Sequence, residues 1–421
     1  MPQAVFTDDS SENGTPNPYK SKKAFKLDDL YRKLQSGVIP KKEQSRNQLQ
    51  NEIITDTYDN YVFIRRYFSL IQVIYVFGIR ILSLKNPIKE IWGLISVLLR
   101  VNRERIQPIQ HENWADFKSD ILQDKPLVSV IIPTLNRYEY LKDVLADLEK
   151  QDYSNFEVIV VDQSEPVDVK FYEGWNLKIQ LIQQDEKALW LARNRAIQLA
   201  EGKFIALTED DVRLRTDWIT EHLKCIDYFK TDISAGLFYP TNSSMDLSQK
   251  GKPHFKLSHQ FPTGNALLNR TVFEQCGLFD RQFEGQRMGD GEFGLRCLLN
   301  GFNIISNPMA FIIDIKAPLG GLRQMGSWDA LRPKSLFAPR PVPSVLYLIG
   351  KYHGNQEAVY YLIKNIPQSY MPYKFKKNKI MRLTYGLIFP LFLPIAFVAV
   401  YQSWKLASIK IKQGSRIDKL N

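Results

Sequence analysis

The sequence predicts an α/β fold: a Rossmann-like, mostly parallel sheet flanked by helices, with a helical N-terminal extension and a C-terminal membrane-associating tail. Three observations predict it. From Leu127 onward, short runs rich in β-branched residues alternate with apolar stripes at helical spacing. Two of those runs end abruptly in acids, Asp162 and Glu209-Asp210-Asp211. The net charge of +11 is concentrated at one end, where eleven basic residues between Lys364 and Lys419 face only Asp418, so that the tail holds +10. A basic tail wrapped around an apolar run points to a membrane surface rather than to nucleic acid.

The 421 residues exceed one compact domain, and the sequence divides as 1–25, 26–125, 126–335, 336–382 and 383–421. The first segment is polar and reads as disordered. It lacks a charged start followed by an apolar core, so no secretory signal is expected. Residues 26–125 read as helical. Tyr61–Leu84 is apolar but interrupted by Arg65, Arg66 and Arg80, and Ile91–Leu99 is too short to span a bilayer. Such amphipathic helices either pack on the main domain, the favoured reading, or lie on a membrane.

In the central region, Val128–Ile132 reads as a buried strand running into Pro133. Tyr140, Leu141, Val144, Leu145 and Leu148 form a helical stripe within Tyr138–Lys150. Phe156–Val161 is the second strand and Ile179–Ile182 the third. Leu189–Ala200 is a helix stopped by Gly202, Phe204–Leu207 the fourth strand, and Trp218–Phe229 a further helix. Beyond Lys230 the pattern loosens. Ser243–Gln260 reads as a polar loop, Asn265–Leu268 as a short strand, Thr271–Cys276 and Glu292–Asn300 as helices. Thr384–Val400 is apolar, contains Pro390 and Pro394, and is at the lower length limit for a span; a dip into the bilayer or an interfacial helix fits equally well.

The three cysteines form no CxxC pair, which fits a reducing compartment, and the five histidines have no zinc spacing. His254 and His259 read as solvated. Ligands of open α/β sheets bind beyond the carboxyl ends of the strands. Thr134, Asn136 and Arg137, then Asp162, Gln163 and Ser164, then Glu209, Asp210 and Asp211 are therefore expected to meet in one crevice. Adjacent carboxylates repel, and a hard divalent cation, Mg²⁺ or Mn²⁺, would offset that cost. Arg193 and Asn194 follow early in the helix that precedes the acids; a guanidinium there suits a phosphate or the acids themselves.

Val128-Ser129-Val130-Ile131-Ile132-Pro133-Thr134-Leu135-Asn136-Arg137, Val160-Val161-Asp162-Gln163-Ser164, Leu191-Ala192-Arg193-Asn194 and Thr208-Glu209-Asp210-Asp211-Val212, in that order and spacing, resemble family 2 glycosyltransferases of the GT-A fold. The resemblance spans roughly 127–323. It implies an inverting transferase that uses a nucleotide-diphosphate sugar and a divalent cation. Pro133, Thr134, Asn136, Arg137, Arg193 and Asn194 would surround the nucleotide. Asp162 would read the nucleobase, with uridine favoured, Asp210 the ribose, and Asp211 with Glu209 the metal. Glu209 stands where the family has Asp. Thr263-Gly264-Asn265 resembles the acceptor-side strand, placing Gly264 and Asn265 there, and Cys276–Asp280 the turn after it. Asp290 is the implied catalytic base and Glu292 the runner-up; Gly289 replaces the family's Glu. Asp314 stands where relatives carry a metal-binding His, and Ala317–Arg323 resembles a segment that closes on the nucleotide.

The acceptor implied is a glycan or lipid-linked glycan at the cytoplasmic face of a membrane, with the chain peripheral or held by one short segment. Two other readings share the fold. A nucleotidyltransferase would carry a Gly-rich loop after the first strand, and Pro133–Arg137 has no glycine. A membrane-bound sugar-nucleotide sensor would explain Gly289 and Asp314.

Overall fold

A computed structural model describes residues 18–39, 56–243, 246–248, 252–318, 321, 330–333, 335–375 and 377–420. The expectation of disorder at 1–25 therefore falls mostly outside the described residues, as do Leu319, Gly320, Leu322 and Arg323 of the closing segment and part of the 243–260 loop. The chain forms two compact units, 1–111 and 112–421.

The first unit contains α1 (Lys22–Ser36), α2 (Thr57–Tyr67), α3 (Leu70–Leu82) and α4 (Pro87–Leu98). Its core is built on Tyr19, Ala24, Tyr61, Val62, Val73 and Val97. Buried Glu90 is satisfied by a two-pronged contact from Arg80 (2.7 and 2.9 Å) and by the Tyr61 hydroxyl (2.9 Å). Gly93 is required where Tyr61 crosses α4, since a Cβ would stand 2.9 Å from the ring.

The second unit begins with a short helix, α5 (Asp120–Asp124), tied through Ser119 to Asp227. Among the described residues its sheet has nine strands: β1 (Val128–Thr134), β2 (Phe156–Asp162), β3 (Ile179–Gln183), β4 (Phe204–Thr208), β5 (Val212–Arg213), β6 (Ile233–Pro240), β7 (Lys256–Leu257), β8 (Asn265–Asn269) and β9 (Ile304–Asp314). The order is β3-β2-β1-β4-β8-β6-β9-β5, with β7 beside β9. β3, β2, β1 and β4 are parallel, joined by α6 (Tyr138–Leu148) and α7 (Leu189–Leu199). β8 then runs antiparallel to both β4 and β6, which makes the sheet as a whole mixed.

Alternation along the strands supplies two cores. Ile131, Ile159, Val161, Ile205 and Leu207 face α7. Val130, Ile132, Val158, Val160 and Ala206 face α6 and α8 (Trp218–Phe229). β6 and β9 were not expected, although all of β9 is buried. Gly236, the Asn307-Pro308 pair and a register shift between β6 and β9 break the period-two signal there. The remaining helices are α9 (Thr271–Cys276), α10 (Gly289–Leu299), α11 (Pro343–Tyr352), α12 (Gly354–Ser369), α13 (Lys379–Ile388) and α14 (Leu393–Gln413).

Candidate active site

The carboxyl ends of β1 and β4 open into a cavity of about 770 Å³. β1 delivers Pro133 and Thr134, followed by Arg137, and β4 delivers Glu209, Asp210 and Asp211. β5 pairs with the end of β9, setting Val212 opposite Asp314 and bringing that acid beside the triplet. α7 contributes Trp190 and Arg193, the turn before β8 Gly264, and the first turn of α10 Asp290.

The acids are held rather than solvated. One Nη1 of Arg137 reaches Asp210 at 3.0 Å and Asp211 at 3.1 Å. The Thr134 hydroxyl donates to Asp210 (2.8 Å), and the Ala317 amide donates to Asp211 (3.0 Å). Burial, opposed by Arg137, pushes the Asp210 carboxyl up to about 6. The segment after β9 laces over this group. The Ile315 amide donates to the Asp211 carbonyl, the Gly321 amide to the Leu135 carbonyl, and a Cβ on Gly321 would stand 2.3 Å from the Arg137 guanidinium. Gly264 is likewise set by a close approach, since a Cβ there would lie 2.7 Å from the Glu209 carboxyl carbon.

Arg193 is the unusual charge. It is 1% exposed, and its Nε and Nη2 have no hydrogen-bond partner. Burial lowers its pKa, while Glu209 and Asp290 act against that shift. An unsatisfied buried guanidinium is costly, so a cavity lined by one is organised for an anion. Glu209, Asp210, Asp211 and Asp314 form an oxygen-only set whose chemistry fits Mg²⁺ or Mn²⁺. Among the described residues, however, no three acids or imidazoles stand together as a ready-made metal site.

Several predicted site residues lie elsewhere. Glu292 is fully buried, paired with Arg296 (2.9 Å) and Lys351 (3.1 Å) and accepting from the Tyr352 hydroxyl (2.5 Å), and it does not line the cavity. These contacts anchor α11 to α10 and leave no base facing a substrate. Asn194 both donates to the Phe279 carbonyl and accepts from the Phe279 amide (2.9 Å each), so it clamps the turn after α9 instead of lining the cavity. Asn265 accepts from Trp218 and His222 and donates to the Leu237 and Ala310 carbonyls; it is a core junction, not an acceptor contact. Asn136 is exposed with φ 53°, and its amide donates to Ser164. Asp162 is buried one strand from Thr134, closed in by the Tyr138 (2.7 Å) and Tyr172 (2.8 Å) hydroxyls and the Ser164 amide (2.8 Å).

Trp190, Leu348 and Arg287 line the cavity and were not expected; so does His259, which is exposed at the rim. Trp190 is fixed by its ring N–H to the Phe283 carbonyl (3.1 Å) and its amide to Glu284 (3.2 Å). A Cβ on Gly289 would stand 2.3 Å from that ring, so the indole fills the volume of the Glu expected there. The only sequence signal was Gly289 itself.

Residues 129–281 match the family model described as Glycosyl transferase family 2. The chain is 27% identical over 170 residues to the putative teichuronic acid biosynthesis glycosyltransferase TuaG of Bacillus subtilis, covering 38% of this chain and 65% of that protein. It is 26% identical over 173 residues to glycosyltransferase GlyA of Streptococcus pneumoniae, covering 40% of this chain and 23% of the other. The chain thus spans less than two thirds of either relative. A solved structure of Staphylococcus aureus TarS 1–349 with UDP-GlcNAc overlays on 68% of this chain and 92% of the other, at 18% identity and TM-score 0.44. The matched region spans β1 to the turn beyond α9 and carries the acids of the cavity, so residues 129–281 form a glycosyltransferase family 2 domain.

Proposed function

We propose that the chain transfers a sugar from a nucleotide-diphosphate sugar to a hydroxyl of a glycan or lipid-linked glycan, by direct displacement with inversion, at the cytoplasmic face of a membrane. The observation that carries this reading is the buried, unpartnered guanidinium of Arg193 in the same cavity as the acid triplet and the exposed Asp290. Arg193 supplies N–H donors for a diphosphate, and Arg137 holds Asp210 and Asp211 in place. Asp290 lies at the start of α10, where its Oδ1 accepts from the Gly291 amide (2.8 Å). It is the exposed carboxylate of the cavity free to take a proton from the acceptor.

In the reaction the acceptor oxygen bonds to the anomeric carbon as the bond from that carbon to the diphosphate oxygen breaks. The electron pair leaves with the diphosphate, and the hydroxyl proton passes to Asp290. Mg²⁺ or Mn²⁺, held by Asp211 with Glu209 and Asp314, would neutralise charge on the leaving diphosphate. Asp162, with the Tyr138 and Tyr172 hydroxyls that donate to it, is assigned to the nucleobase.

The test is Asp290→Asn. Nucleotide release from a panel of UDP-, GDP- and dTDP-sugars, with glycan acceptors, should fall by about 10² to 10⁴-fold. Donor affinity measured by calorimetry should stay within about threefold, since the change is nearly isosteric and Asp290 is assigned no donor contact. Parallel loss of donor binding, or unchanged transfer, would remove Asp290 from the role of base.

A further inference from the structure

The apolar stretch Ile380–Gln413 is long and apolar enough to cross a bilayer. Its packing argues otherwise. On α14, Ala396, Ala399, Ser403 and Ala407 are buried, and α11 is the helix most extensively packed against it. The Ser403 hydroxyl donates to the Pro341 carbonyl (2.6 Å), the Arg340 amide to the Ala399 carbonyl (3.1 Å), and Lys410 Nζ to the Gln282 carbonyl (2.6 Å). Ahead of α14, Phe389 and Phe392 pack with Ile366 and Tyr370 of the α12 region. A span needs about 20 residues clear of the folded protein. Between Ile380 and Gln413 no stretch of that length is free, because Phe389 and Phe392, and then α14 through Ala396, Ala399, Ser403, Ala407 and Lys410, rest on the second unit.

Much of the rest of the stretch is bare and apolar. Leu383 and Leu387 on α13, Leu391 in the turn that follows and Phe397 on α14 are 67%, 73%, 80% and 74% exposed. Tyr401 and Lys405, both exposed, follow, and Lys374, Lys377 and Arg382 precede. Exposed apolar groups, an exposed aromatic and cations at both ends match the boundary layer of an anionic bilayer.

We propose that Ile380–Gln413 is a monotopic foot: it lies in the surface of an anionic bilayer with Leu383, Leu387, Leu391 and Phe397 in the acyl boundary, and does not cross. This deepens the membrane-surface part of the proposed function but stands independently of the reaction. The foot is joined to the cavity wall. α11 carries Leu348 into the cavity, and the segment after α14 is hydrogen-bonded to the turn after α9: the Arg416 amide donates to Asp280 (2.9 Å) and the Leu278 amide to the Asp418 carbonyl (2.8 Å). Docking the foot therefore fixes the height of the cavity above the lipid.

Two measurements on the full chain test this. In flotation with phosphatidylglycerol–phosphatidylethanolamine vesicles, Leu387→Glu with Phe397→Glu should weaken partition by about a hundredfold, with unchanged circular dichroism. The wild-type chain should bind phosphatidylcholine vesicles far more weakly. Undiminished binding by the double variant, or equal binding to phosphatidylcholine, overturns the proposal. For topology, Lys374→Cys and Lys412→Cys are labelled singly with a membrane-impermeant maleimide in sealed inverted vesicles; the natural Cys225, Cys276 and Cys297 are buried. Equal labelling of both is expected, and labelling of one alone means that the segment crosses. Neither readout depends on transferase activity, so failure here and failure of the Asp290 test are separable.

Discussion

Gly289→Ala tests whether the departure from the family's acid is a packing decision. The new Cβ would lie 2.3, 2.5 and 3.0 Å from three atoms of the Trp190 ring. Carbon atoms rest at about 3.5–4.0 Å, so a separation of more than about 1 Å must be recovered. The ring cannot easily yield, because its N–H is bonded to the Phe283 carbonyl (3.1 Å) and Phe279 packs at 5.2 Å. Over-packing of this kind costs about 1–3 kcal/mol. Replacing Trp190 with Leu empties the volume, so Gly289→Ala should cost less than about 0.5 kcal/mol in that background, and the cycle should show a coupling of about 1–3 kcal/mol. Because the chain has two compact units, the assay is urea-dependent hydrogen exchange read on peptides covering 189–199 and 289–299. A single Gly289→Ala variant within about 0.5 kcal/mol of wild type, or equal costs in both backgrounds, refutes the reasoning.

Arg193→Met should raise stability while weakening donor binding. It removes an unpartnered buried cation but also the N–H donors proposed for the diphosphate, worth about 1.5–3 kcal/mol or roughly ten- to a hundredfold in affinity. Thermal unfolding and calorimetry with UDP- and GDP-sugars check the two arms. His222 is held neutral by burial, with Nδ1 against the Ser234 hydroxyl (2.8 Å) and Nε2 against Asn265 (3.1 Å), and its pKa is lowered from 6.5 to about 4. The unfolded chain takes up this proton near pH 6.5 and the folded chain only near 4. Stability should therefore fall as pH drops through that window, by up to about 3 kcal/mol. His222→Gln should flatten that slope in urea titrations at pH 4 to 7.

The four parallel strands and α6, α7 and α8 were legible because β-branched runs and helical stripes alternate without interruption from Val128 to Phe229. β6 and β9 were not, because a strand whose period is broken by Gly236 and Asn307-Pro308 loses its signature while keeping its hydrogen bonds. The acids and Arg193 were recognisable as a cluster because charges at the ends of apolar strands serve no core. Their neighbours in sequence misled. Glu292 and Asn194 share helices with Asp290 and Arg193, but one helical turn decides which side chain faces the cavity and which satisfies a buried partner.

By itself the sequence determined the order of the first four strands and the helices between them, the acids that follow β4, and a cationic apolar tail, since each depends on local patterning. Only the tertiary structure decided that Trp190 occupies the space beside Gly289, that the β5–β9 pairing sets Asp314 opposite Val212, and that α14 packs along α11. Those outcomes rest on contacts between residues far apart in the chain, and volume and hydrogen-bond complementarity across such distances leave no periodic mark in the sequence.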